Sequence, residues 1–166
     1  MHLFSVGASV LVLVIASASA AQDRAALSFS KWQRRLPSPT FTVTVDWPTG
    51  NQAWVARLVE RTRGQPDKTR WTDSDSCPSM MPAFARLQQI EPFKIVPPGV
   101  RGGASELMID GNHYQVHAHG FWPQADQNGE IELSSNGGPV ADWVEDALKV
   151  LAPCWRDQPP GSRPGR

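Results

Sequence analysis

The sharpest pattern in the chain is an alternation: Phe41, Val43, Val45 and Trp47 are apolar, and Thr42, Thr44 and Asp46 between them are polar. Successive side chains of a strand point to opposite faces, so this period of two predicts a half-buried strand. Pro48, Thr49, Gly50 and Asn51 carry turn chemistry, and a tight turn after a strand favours an antiparallel return. Residues 53–62 are therefore expected to form a second strand, although Trp54, Val55, Leu58 and Val59 also fit one helical face. Gly64, Gln65 and Pro66 turn the chain again and lead into a third short strand at residues 68–72.

The period then changes. Met80, Ala83, Phe84 and Leu87 share one helical face. Ser76 and Ser79 are the candidate N-caps, and Pro82, tolerated only in a first turn, favours Ser79. This helix should stop near Ile90, ahead of Pro92. A short edge strand at 93–96 and a loop at 97–103 follow. Next comes an expected hairpin, with arms at 106–110 and 113–119 around Gly111 and Asn112, and then a strand at 130–134. Pro139 suits a first helical position. Val140, Trp143, Val144, Ala147, Leu148 and Leu151 give a core-facing stripe, and Asp142, Glu145 and Asp146 precede Lys149 as the helix dipole prefers. Pro153 ends this second helix. These elements predict an α+β fold, an antiparallel sheet covered on one face by two helices.

The front of the chain changes the picture from a plain cytoplasmic domain. Residues 10–16 are a short uncharged apolar run, and Ala18, Ser19 and Ala20 supply the small-x-small pattern at which a signal peptidase cuts. Residues 1–20 are thus expected to be a signal peptide, although no Lys or Arg precedes the run. The run is broken well before the ~20 apolar residues a bilayer span needs, so no transmembrane anchor is expected in the mature chain. No cysteine stands at the cut to accept a lipid, and no N-glycosylation sequon occurs. The expected location is periplasmic or secreted. Residues 22–39 show no clean period and end in Pro-Ser-Pro, so 21–39 is expected to be an arm or linker before a single domain at 40–155. The Pro-, Gly- and Arg-rich tail at 156–166 is expected to be disordered. Cys77 and Cys154, the two cysteines of the chain, fall at the outer ends of the two helices and predict one structural disulfide.

Sixteen basic and sixteen acidic residues cancel, so no net field draws in nucleic acid or an anionic membrane. Arg57, Arg61, Arg63 and Arg70 form a basic stripe, expected to be a solvated face. Seven tryptophans are many for this length, and most are expected to be core or partly buried packing residues, an exposed group being a platform for sugar or peptide. His113, His117 and His119 share one face of their strand, opposite Tyr114 and Val116. His117-x-His119 could place two imidazoles on one zinc or copper ion, with Glu130 or Glu132 adding a carboxylate, and His113, His117, His119 and Glu132 form the candidate metal set. Asp73-Ser-Asp75 lacks the rest of a calcium loop and suits a turn, as do Asp126 and Asn128. No Gly-x-Ser-x-Gly occurs, and no residue is nominated as catalytic or as a binder of an organic cofactor. The expectation is a non-enzymatic exported binding module for an unidentified protein or small molecule, its oligomeric state left open. The alternatives are a zinc- or copper-binding protein using the His117-x-His119 strand and a hydrolase of unrecognised type, for which paired carboxylates are one chemistry.

Overall fold

Six strands make one antiparallel sheet in the computed structural model, which describes residues 25–33, 38–50, 52–90, 111–122 and 127–161. In chain order they are β1 (Ala25–Gln33), β2 (Thr40–Asp46), β3 (Val55–Arg61), β4 (Lys68–Asp73), β5 (Asn112–Trp122) and β6 (Gln127–Ser135). The first four form a meander, and β5 returns to the free edge of β1, giving the order β4-β3-β2-β1-β5-β6. The alternation in β2 puts Val43 and Val45 inside, and residues 55–61 are strand rather than helix because Ala56 and Leu58 are the ones β2 places beside them.

Two expectations change here. Residues 25–33, expected as part of an arm, form β1, which lies in the middle of the sheet and pairs with both β2 and β5. Leu27 and Phe29 are its core residues. Its alternation is hidden at both ends: a register irregularity leaves Ala25 and Ala26 both buried, and Lys31 occupies the core side because Glu145 meets it there at 2.6 Å. The second change concerns β5, whose two edges are taken by β1 and β6 rather than by a hairpin partner just upstream. The expected arm at 106–110, the edge strand at 93–96 and the loop at 97–103 lie outside the described residues.

Both helices cover one face, as the apolar stripes require. Helix α1 (Met80–Ala85) runs into a 3₁₀ turn at Arg86–Gln89, and α2 (Pro139–Leu151) into another at Ala152–Cys154. Ser79 precedes α1 but makes no side-chain cap, its backbone being already helical. Gly138, at φ 72°, makes the left-handed entry that hands Pro139 to the first position of α2. The rings of Phe29, Phe84 and Trp143 meet edge to face at the centre, with centroids 6.2 and 5.0 Å from Phe29. The buried Trp143 donates its Nε1–H to the Ala83 carbonyl at 3.2 Å, tying α2 to α1.

Cys77 and Cys154 are joined, with Cα atoms 5.7 Å apart. The bridge ties the turn before α1 to the 3₁₀ turn after α2. Just beyond it, Arg156 pairs its backbone with Trp71 in both directions, at 2.8 and 2.9 Å. The start of the tail expected to be disordered is therefore held on the exposed edge of β4, whose unpaired N–H and C=O groups would otherwise face water. No helix among the described residues is long and apolar enough to cross a membrane.

Candidate binding face of the sheet

The face of the sheet away from the helices is polar because every strand alternates. Inward-facing Phe29, Val43, Leu58 and Val116 leave Ser28, Ser30, Thr42, Thr44, Arg57 and His117 outward. The registers align these residues into rows that cross the sheet. One row runs Trp71, Arg57, Thr44, Ser28, His117, Glu132 from β4 to β6, and the next contains Thr69, Val59, Thr42, Ser30, Gln115 and Ser134. A groove of about 800 Å³ lies over the β2, β1, β5 and β6 part of these rows, lined by Ser28, Ser30, Thr42, Thr44, His117 and Glu132 among others; Arg61 also lines it, and Arg57 stands at its margin beside Thr44.

The floor carries unused hydrogen-bonding capacity. Among the described residues the hydroxyls of Ser28, Ser30, Thr42 and Thr44 have no partner, each offering one donor and two acceptor sites. Arg57 is half-buried, pairs with no carboxylate among the described residues, and its Nε has no hydrogen-bond partner. The other arginines of the stripe are occupied or elsewhere. Arg61 donates to Asp67 at 2.9 Å, and Arg70, on the helix side, donates to Glu60 at 2.9 Å.

The histidines divide. His117 Nε2 is 3.4 Å from Glu130 Oε2, and His119 Nδ1 is 3.8 Å from Glu130 Oε1, so one carboxylate lies between two imidazoles. His113 stands apart: its Nδ1 meets Asn136 Oδ1 and its Nε2 meets the Ser134 hydroxyl at 2.9 Å, so neither ring nitrogen is left for a metal. Glu132, although opposite His117 in the register, accepts from Gln115 instead. Of the sequence-predicted metal set, the structure thus brings together His117 and His119 with Glu130, and places His113 and Glu132 in separate contacts. Among the described residues no group of three or more His, Cys, Asp or Glu stands in metal-holding geometry.

Aromatic rings bound the groove along the strands. Trp32 packs on His113 with centroids 4.3 Å apart at one end. Trp47, 53% exposed, lies 6.0 Å from the His119 ring and 5.5 Å from Trp54 at the other. Six residues separate His113 from His119, roughly 20 Å at the strand rise. Sequence reasoning nominated none of the hydroxyls and read Arg57 as a solvated charge. Their signal was the polar half of each alternation, which is visible in β2 but hidden in β1. The chain matches no known protein family, no characterised protein and no solved structure.

Proposed function

We propose that this chain is an exported, non-enzymatic binding protein whose ligand lies across the polar face of the sheet. The observation that carries this reading is the groove itself, floored by hydroxyls that the fold does not use, with the unpaired Arg57 guanidinium beside Thr44 at its β3 margin. Specific sites commonly place a few convergent polar groups in a concave surface. Ser28 faces His117 across the strand pair, yet no hydrogen bond joins them among the described residues, so the geometry supports holding a ligand rather than activating a nucleophile. Export to the periplasm or the secreted space rests on the leader pattern, with support from the disulfide, since such bonds persist in oxidising compartments.

A second reading, zinc or copper binding, is favoured by one observation. Ligands at 2.0–2.1 Å on a tetrahedral ion stand roughly 3.3–3.4 Å apart, close to the separation of His117 Nε2 and Glu130 Oε2. Thermal unfolding of the mature protein against sugars, amino acids, short peptides, ZnCl2 and CuCl2 tests both readings. An organic ligand that raises the midpoint by mass action, and loses that effect in a folded Ser28→Tyr/Thr44→Tyr variant, supports the groove. A shift given by the metal salts alone, and abolished by His117→Ala/His119→Ala, supports the second reading. No shift from any compound overturns both.

A further inference from the structure

Resting on the groove reading above, we infer that the ligand is an oligosaccharide carrying an anionic substituent, with that anion held by Arg57 and the sugar hydroxyls held by the floor. Three observations converge on this chemistry. Ser28, Ser30, Thr42 and Thr44 rotate freely between donor and acceptor, which matches a ligand whose own hydroxyls do the same. Trp47 and Trp32 flank the floor at opposite ends, where an indole can cover the apolar face of a sugar ring. Arg57, beside Thr44 at the β3 margin of the groove, supplies a half-buried charge with no protein counterion among the described residues, and a carboxylate or sulfate can complete such a guanidinium in a forked pair.

A peptide fits this surface less well. Strands β2, β1 and β5 each spend their backbone N–H and C=O groups on two neighbours, so a chain laid across the face meets no main-chain partners. Recognition of extended peptides by sheets uses an open edge instead. The charges are also graded across this face of the sheet, from one margin of the groove to the other. Arg57 lies on β3, whereas Glu130 and Glu132 lie on β6, four strand spacings or roughly 19 Å away. The anionic substituent is therefore directed to the β3 side, and uncharged hydroxyl-bearing rings extend towards the carboxylates, which accept hydrogen bonds from them.

The test is binding of the mature protein to immobilised uronate-, sialate- and sulfate-bearing oligosaccharides, their neutral counterparts and short peptides. Expected is a preference for one acidic class over its neutral counterpart that weakens as salt is added. Arg57→Gln, with an unchanged circular dichroism spectrum, should lower that affinity by about tenfold to a hundredfold, the loss of one charge-assisted hydrogen-bonded contact. Arg57→Lys, which keeps the charge without the fork, should fall between them. Binding of neutral sugars or peptides that the Ser28→Tyr/Thr44→Tyr variant blocks and Arg57→Gln leaves intact would overturn the acidic-sugar assignment while sparing the groove. Absence of any binding that the filled variant blocks would overturn both.

Discussion

Glu145 shows how one side chain decides what a neighbouring strand can carry. It accepts the Tyr114 hydroxyl at 2.7 Å and meets the Lys31 ammonium at 2.6 Å, so a lysine can sit on the core side of β1 with its charge answered from α2. Partial burial opposes ionisation of this carboxyl, but the hydrogen bonds from Lys31 and Tyr114 prevail and hold it below the ordinary glutamate value of 4.5. The unfolded chain therefore takes up this proton first as acid is added. The stabilisation is present above about pH 4.5 and is lost as pH falls through the folded-state value. Tyr114 behaves oppositely: burial, then its bond to Glu145, favour the neutral phenol, so its contribution is fully present below pH 10 and is lost as pH rises through its raised folded-state value. Urea midpoints measured from pH 7 to pH 3 should fall less steeply in Glu145→Gln than in the wild type. Parallel slopes would show that Glu145 is not linked to folding.

At the scale of elements, β1 is the test of the architecture. It joins the β2-β3-β4 half of the sheet to the β5-β6 half and brings Leu27 and Phe29 into the core. A chain beginning at residue 40 should lose cooperative unfolding and near-ultraviolet circular dichroism, whereas loss of a mere arm would leave both intact. This element was also the least legible in the sequence. The strand at 40–46 and the helix at 139–151 were readable because each keeps an unbroken period in its own residues, and the strands at 55–61 and 68–73 followed from the turns that precede them. In β1 the period is interrupted by Lys31, whose partner lies more than a hundred residues away, and by two adjacent buried alanines. No local rule sees either cause. The pairing of β5 was hidden for the same reason: turn chemistry favours neighbours in sequence, whereas β1 arrives from the far end of the chain. At the site, alternation placed His117 and His119 on the outer face. It could not say which glutamate they would meet, because that depends on side-chain choices across the β5-β6 register: Glu132 turns to Gln115 and leaves Glu130 to the histidines.

Across the whole molecule, the apolar core and the proposed binding floor lie on opposite sides of the sheet. The helices, the Phe29-Phe84-Trp143 cluster and the Cys77–Cys154 bridge lie on one side, and the hydroxyl floor lies on the other. The bridge spans 77 residues of sequence, and chain entropy alone predicts that closing such a loop stabilises the fold by about 4.5 kcal/mol. Domains of this size hold only about 5–15 kcal/mol in total, so the bridge is a large share. The Cys77→Ala/Cys154→Ala variant should therefore unfold at a distinctly lower denaturant concentration than the oxidised wild type. Thiol labelling of the unreduced, unfolded wild type should find no free cysteine. Under conditions where the variant is still folded, its affinity for any groove ligand should match the wild type, because the hydroxyls of Ser28, Ser30, Thr42 and Thr44 lie on the face of the sheet opposite the bridge and the helices that it joins. An unchanged midpoint would mean that the bridge does not restrain the unfolded chain, and a lost affinity in the folded variant would mean that the two faces are coupled through the sheet.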